Sequence, residues 1–370
     1  MGQLVQCGEY ERGSGDCVSV QIEGKTYRMF STDGQPIDRT RFYEIDTVER
    51  RFLRGRQTSV LADRDVPGAP LQAQVPGTAP NSPGDTFQAF WHGGELNPLA
   101  WACLSSFAAA GHTTVLYAYD KIAVPPGVLL KAADPVVSRK DLFVWRGFLQ
   151  PFSNIFRYRL LLENGGWWID TDVVCLTGTF PDCDVAFARE LDTQEIIASG
   201  QIKFPKGHPV MRVLTEEAPA IARTQKVWGQ SGPALLTRIL QERNQLKRAW
   251  SAKTIYPVSW LESCQLWLPE RFEDVQDKFR NAISLHLYNG MFERFGIDPW
   301  TQPPRGSYLD HLCKRYPFHS PLKPLTSEAY RRTVDLINAY LDQTWVREFA
   351  EVHHLDRRPA MHAGAGRYGG

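Results

Sequence analysis

The sequence predicts an α/β fold built on a mainly parallel sheet. From Thr86 onward, short apolar runs of strand length alternate with longer amphipathic runs of helix length. The junctions between them carry Gly, Pro and Asp, the residues that stop or turn a chain. With 43% hydrophobic and 12% aromatic residues in a chain of 370, there is material for a sizeable core in one large domain or two ordinary ones.

The first 65 residues form a smaller unit with its own pattern. Cys17–Ile22 and Thr26–Phe30 flank Glu23-Gly24-Lys25 and predict a hairpin. Arg39–Arg56 has Phe42, Ile45, Phe52 and Leu53 at helical spacing and predicts an amphipathic helix. That segment carries six arginines against Glu44, Asp46 and Glu49, so its polar face is either a solvated surface or a dock for an anionic membrane. Residues 66–85, rich in Pro, Gly and Ala, predict a linker.

The denser region begins at 86. Phe87–Trp91 predicts a strand, and Pro98–Ala110 a helix opened by proline and closed by Gly111. Thr113–Tyr119 predicts a strand that stops at Asp120. Pro151–Asn164 predicts a helix ended by Gly165-Gly166, followed by the strand Trp167–Asp170. Val185–Ala188 and Ile196–Ala198 predict further short strands, and Pro233–Gln241 a helix. Beyond 300 the pattern turns helical, with Ser327–Val352 as one long amphipathic helix and 361–370 as a disordered tail.

Composition excludes several functions. Basic and acidic residues number 42 and 41, so no basic excess favours nucleic acid. Seven cysteines lie scattered without a CxxC pair, which predicts reduced, mostly buried thiols and a cytoplasmic setting. No stretch has the apolar length of a membrane span, and the first residues lack the apolar core of a signal peptide.

The chemistry concentrates in Ser153–Asp172, SNIFRYRLLLENGGWWIDTD. Asp170 and Asp172 stand where an apolar strand breaks into solvent, and ligands of parallel sheets collect at the carboxyl ends of strands. On extended backbone these two side chains point the same way. Two ionised carboxylates side by side repel unless a cation sits between them, and Mg²⁺ or Mn²⁺ with a phosphate suits such a pair. A pair of solvated turn aspartates is the competing reading of Asp-Thr-Asp alone. Upstream, Ser153, Asn154 and Arg157 fall on one face of the helix by their i, i+3 and i, i+4 spacing. Arg157 lies about 12 Å along the helix from Gly165; it reaches a phosphate or sugar near the aspartates, or pairs with Glu163 or Asp184.

The pattern SN-x-x-R-x-x-x-L-x-x-x-GG-x-W-x-D-T-D resembles the Ser-Asp-x-x-Arg…Gly-Gly-x-Tyr-x-Asp-x-Asp signature of the DXD-containing sugar transferases. These are glycosyltransferase family 32 and its relatives, with α-1,4-galactosyltransferases, α-1,6-mannosyltransferases and, more distantly, clostridial glucosylating toxins. Four further segments resemble the family in order: Phe90-Trp91-His92-Gly93, Val227–Pro233, Ile255–Trp260 and Ser284–Asn289. The likeness spans roughly 86–300. Where the family has Asp, this chain has Asn154, so the resemblance leaves donor selectivity open.

The resemblance implies a GT-A type nucleotide-sugar-binding fold over 86–300, a Rossmann-like mixed sheet flanked by helices, with 301–360 as a helical extension. It implies a retaining hexosyltransferase using Mn²⁺ or Mg²⁺, a nucleotide-sugar donor such as UDP-Gal, UDP-Glc or UDP-GlcNAc, and a saccharide or lipid-linked acceptor. Asp170, Asp172 and His286 would hold the metal. Asp170, Asp172, Arg157 and Gln230 would be catalytic. Trp91, His92, Ser153, Asn154, Arg157, Gly165, Gly166, Asp170, Ser231 and Gly232 would bind the donor. A toxin-like transferase acting on protein and a silent sugar-nucleotide or glycan-binding module are the alternatives. Residues 1–80 and the oligomeric state are outside the resemblance.

Overall fold

The computed structural model describes residues 85–226, 228–294 and 297–341, together with strand backbones at 4–6, 17–22, 25–30 and 42–44. In that first unit, strands β1 (Leu4–Gln6), β2 (Cys17–Ile22), β3 (Lys25–Phe30) and β4 (Phe42–Glu44) form two antiparallel pairs, β1 with β4 and β2 with β3. The hairpin is as predicted. Part of the predicted basic helix is not: Phe42–Glu44 is extended, paired to Leu4–Gln6. Strand pairing overrides helical periodicity over a stretch this short. The rest of Arg39–Arg56, the 66–84 segment and the 361–370 tail lie outside the described residues.

The central sheet has five strands. Strands β5 (Thr86–Trp91), β6 (Thr113–Ala118) and β7 (Val128–Ala132) run parallel. Strand β8 (Gly166–Ile169) joins the other edge of β5, also parallel. A short pair lies beside the sheet, β9 (Val173–Cys175) with β11 (Ser284–His286), antiparallel. Strand β10 (Gln201–Phe204) caps the sheet antiparallel to β8, giving the order β10-β8-β5-β6-β7. This is the mixed, parallel-dominated sheet that the GT-A resemblance implies. Val185–Ala188 and Ile196–Ala198 are not strands; they make isolated bridges, Ala186 to Lys203, Ala188 to Trp250 and Arg189 to Ile197.

Alternation along the strands fixes two packed layers. Phe87, Ala89, Trp167 and Ile169 face helix α1 (Pro98–Ala109), against Leu104 and Phe107. Phe90, Trp168 and Ile202 face helix α2 (Gln150–Asn164) with its Phe152, Phe156 and Leu160. Helices α3 (Pro209–Thr224) and α4 (Leu235–Glu242) continue that layer through Leu214, Leu236 and Leu240. Helix α1 starts where the sequence places it: the Asn97 side chain accepts the Ala100 N–H at 2.9 Å and Pro98 opens the first turn.

The later elements are short except the last. They include α5 (Ala252–Ile255), α6 (Phe272–Lys278), α7 (Asn289–Arg294), α8 (Tyr308–Arg315) and α9 (Ser327–Leu341). Leu266, Trp267, Leu285, Leu309 and Leu312 pack with Leu99 and Cys103 of α1, and so tie the C-terminal elements to the sheet layers. The predicted end of α9 at 352 falls outside the described residues. Among the described residues five cysteine thiols are free, with Cys103, Cys175 and Cys264 buried. No helix among those residues is long and apolar enough to cross a membrane.

Candidate metal and sugar-nucleotide site

Strand β8 delivers the two aspartates to the carboxyl edge of the sheet. The strand stops at Ile169 and the chain turns at once, with Val173 N–H donating to the Asp170 carbonyl at 3.1 Å. The two carboxylates therefore converge through a turn rather than through strand alternation. Gly165 and Gly166 lie at the opposite end of β8. Both have positive φ, 69° and 89°, and a Cβ on Gly165 would collide with the Lys206 backbone. They shape the helix-to-strand turn and are not brought to the carboxylates.

Asp170 is held from α2. Arg157 Nη2 donates to its Oδ1 at 2.7 Å, and Trp168 Nε1 donates to the same oxygen at 2.7 Å. The Arg157 guanidinium also lies over the Trp168 ring, 5.0 Å from its centroid. Arg157 is 1% exposed, so its charge is neutralised inside the protein by Asp170 rather than by solvent. The alternative partner Glu163 pairs with Arg159 instead. Burial pushes the Asp170 carboxyl above its ordinary range, against the opposing pull of the Arg157 and His286 charges.

Behind Arg157 runs a buried polar chain. Its Nη1 donates to Asn154 Oδ1 at 3.0 Å, Asn154 Nδ2 donates to Ser231 Oγ at 3.1 Å, and Ser231 Oγ donates to Gln225 Oε1 at 2.8 Å. Asn154 is fully buried and uses both arms, one accepting and one donating. An Asp at 154 would lack the donor, and Ser231 would have to turn its proton away from Gln225. Gly232 lets this chain close, since a Cβ there would stand 2.9 Å from Asn154 Nδ2. Gln230 is partly exposed next to it, its Oε1 accepting the Lys226 N–H at 2.7 Å. Ser153 is half-buried on the same helix and gives this chain no side-chain hydrogen bond.

Asp172 is held from the far end of the sequence. His286, the last residue of β11, donates from Nε2 to Asp172 Oδ1 at 3.0 Å, and the Asn289 N–H donates to Oδ2 at 2.8 Å. The Leu287 N–H closes on the Asp172 carbonyl at 2.8 Å. Burial acts to raise the Asp172 carboxyl, but His286 and the Asn289 N–H outweigh it and hold the group below its ordinary value. Burial likewise opposes charge on His286, and Asp172 overrides it, so the imidazole is raised above its usual range.

Asp170, Asp172 and His286 form one group, with one ligand atom from each lying within 4.8 Å of the others. Gly200 lines it. A Cβ at this position would stand 3.0 Å from His286 Cε1 and 3.1 Å from Asp170 Oδ2. His286 Nδ1 is buried without a hydrogen-bond partner. Two carboxylates, one imidazole and a recess kept open by a missing side chain fit a divalent cation.

Trp91 ends β5, the parallel neighbour of β8, and His92 follows it, so both share the carboxyl edge of the sheet with Asp170. Trp91 Nε1 donates to the Gly94 carbonyl at 3.1 Å, and His92 stands 6.0 Å from Tyr119, ring to ring, with its Nδ1 buried and unpartnered. No hydrogen bond joins them to the carboxylates among the described residues. The sequence left Trp168, Gly200, Gln225 and Asn289 unassigned. Only Trp168 had a signal: alternation puts it on the face of Arg157 and beside Asp170.

Fold and site together define an α/β protein with a carboxylate–imidazole group at a strand end. Among solved structures the chain is similar to PaToxG Glycosyltransferase, with 13% identity, a TM-score of 0.33 and coverage of 70% of this chain and 86% of that one. No curated protein matches the sequence. Residues 203–317 match the family model described as the alpha 1,4-glycosyltransferase conserved region. That segment contains Gln230, Ser231, Gly232 and His286, while Asp170 and Asp172 precede it. On this match the protein is a glycosyltransferase.

Proposed function

We propose that the protein is a metal-dependent, retaining glycosyltransferase. It moves a hexose from UDP-Gal, UDP-Glc or UDP-GlcNAc to a saccharide or lipid-linked saccharide, as in surface polysaccharide or glycolipid synthesis. The observation that most supports this reading is the convergence of Asp170, Asp172 and His286 within 4.8 Å at the carboxyl end of β8. Asp170, Asp172 and His286 would hold a Mn²⁺ ion, which would supply positive charge against the leaving diphosphate, usually a large share of transfer catalysis.

The chain's own residues have separable parts in this reading. Arg157 and Trp168 fix Asp170 in one rotamer, so the oxygen left over points toward His286 and Gly200. Asn154, Ser231 and Gln225 hold Arg157 in turn. His286 and the Asn289 N–H fix Asp172. Gln230 and Gly232 stand beside the hexose, and Trp91 and His92 pack on the nucleobase. The acceptor hydroxyl gives its proton to the departing diphosphate, so no side-chain base is required.

Donor hydrolysis, with water as acceptor, tests the reading. The full chain with Mn²⁺ is expected to release UDP from at least one of the three donors, to stop in EDTA and to recover with added Mn²⁺. Asp172→Ala is expected to lower that rate on the order of 100-fold or more. No turnover together with no Mn²⁺-dependent UDP binding would sink the proposal.

A further inference from the structure

Glu190 is a carboxylate that this reading leaves without a task. Arg189 bridges Ile197, and the Glu190 N–H donates to the Ile196 carbonyl at 2.8 Å. From Ile197 the chain runs three residues to Gly200, the glycine against Asp170 and His286. Glu190 is thus tied by its backbone to the wall of the same recess. Its side chain is partly exposed and makes no hydrogen bond or ion pair among the described residues. Ala188 and Ala198, joined across the same bridge by a 3.1 Å hydrogen bond, pack in one group with Tyr256 and Tyr288; the Glu190 charge also acts on His286 and both phenols.

The neighbours supply the rest of a pocket wall. The Tyr288 ring lies on His286 with 4.1 Å between centroids, and Tyr256 stands 5.9 Å from the same imidazole. Tyr288 holds a positive φ of 56°, uncommon for an aromatic residue, which turns its ring onto His286. The Tyr288 hydroxyl is buried and has no hydrogen-bond partner. Beside the imidazole there is therefore an aromatic surface, an unpaired carboxylate and an unpaired phenol. Leaving the buried phenol unsatisfied is costly unless a ligand completes it, and the partly exposed carboxylate beside it is open to the same ligand. A sugar does so: its hydroxyls bond the carboxylate and phenol, and its C–H face lies on the rings.

We propose that Glu190 and Tyr288 form the acceptor side of the site, with Glu190 accepting a hydrogen bond from the attacking hydroxyl. The inference rests on the sugar-transfer reading above. Water takes the same place when no saccharide is bound. The attacking oxygen bonds the anomeric carbon as the carbon–oxygen bond to the diphosphate breaks. That electron pair leaves with the diphosphate, which also takes the hydroxyl proton. Before attack Glu190 orients the hydroxyl through that proton; as the new bond forms the proton turns from Glu190 to the diphosphate oxygen, and Glu190 ends the step unchanged.

Hydrolysis of UDP-Gal, UDP-Glc and UDP-GlcNAc by the full chain with Mn²⁺ tests this without a known acceptor. In Glu190→Gln the expected result is a fall in kcat on the order of 100-fold, with donor KM and Mn²⁺-dependent UDP affinity within about 3-fold of the parent. Tyr288→Phe, which removes only the hydroxyl, is expected to show the same split with about a 5-fold fall, and it carries the test if Glu190→Gln does not fold. Unchanged kcat in a folded variant overturns the inference. So does joint loss of UDP binding and turnover, which would put Glu190 on the metal side. A parent protein that binds no UDP with Mn²⁺ and hydrolyses none of the donors overturns the sugar-transfer reading instead, and the inference falls with it.

Discussion

Asp170 and Asp172 are two residues apart, yet they belong to different parts of the molecule. Asp170 is held by Arg157, 13 residues earlier, within a single helix–turn–strand unit. Asp172 is held by His286 and Asn289, 114 and 117 residues later. Their carboxyls are displaced in opposite directions. Burial raises Asp170 despite Arg157, while His286 and a backbone N–H overcome burial and lower Asp172. The contrast teaches that a metal-ready pair is not one device repeated. One carboxylate is preset by its own supersecondary unit, and the other is set only when distant chain closes on it.

Removing the local half's anchor is expected to have the largest effect on the fold. Arg157→Ala strands Asp170 beside a buried gap and ends the chain through Asn154 to Ser231. A loss of about 3 kcal/mol is expected, the usual cost of breaking a buried ion pair from one side. Urea unfolding measures it, and an unchanged midpoint would mean that Asp170 does not depend on Arg157.

The distant half is expected to answer to pH. His286 is raised above its ordinary value of 6.5 by Asp172, which outweighs its burial. Stability from that pair is fully present below the unfolded value and is lost as pH rises through the raised folded value. A cation must displace the same proton, so Mn²⁺ affinity runs the other way and rises with pH until His286 is neutral. Metal-free thermal midpoints should therefore fall from pH 6 to pH 8 while the gain from added Mn²⁺ grows. Parallel trends with and without Mn²⁺ would separate His286 from the metal. In His286→Gln both slopes should flatten.

The smallest effect is expected at Asn154. Asn154→Asp introduces the residue of the signature that Ser153–Asp172 resembles, but places a second carboxylate against Arg157 where no water reaches. A loss of about 1 kcal/mol is expected, within the common range for a single substitution. Donor hydrolysis should change by less than about 10-fold, because Asn154 acts through Arg157 and Ser231. A larger change, confined to one of the three UDP-hexoses, would show that residue 154 meets the sugar.

Much of the local half was legible in the sequence, and little of the distant half. Helical spacing put Asn154 and Arg157 together, and the double glycine located the turn into β8. That β5, β6 and β8 run parallel followed from the alternation of strand and helix, but their order in the sheet did not. No local rule reaches from Asp172 to His286; only the family resemblance pointed there. Strands β7 and β10 were missed because edge strands of four or five residues carry too few alternations to stand out. Segments 185–188 and 196–198 have strand-like composition, yet they bridge other loops in isolated pairs. The 39–56 pattern predicted a helix, and the pairing of Phe42–Glu44 with Leu4–Gln6 shows tertiary contact overriding periodicity. Glu190 left no trace in the sequence, since an acid between bridge residues looks like any loop acid.

The latch of Leu287 and Asn289 onto Asp172 bears on how the protein is made. The two aspartates leave the ribosome more than a hundred residues before the imidazole that completes them, given the 114-residue separation of Asp172 and His286. Until β11 is synthesised, the nascent sheet carries a pair of acids with no ring and no Asn289 N–H to set the second one. The three-residue group of Asp170, Asp172 and His286 is thus completed late and all at once. A chain cut short anywhere before β11 would lack both His286 and the Asn289 N–H, the two contacts that set the Asp172 carboxylate.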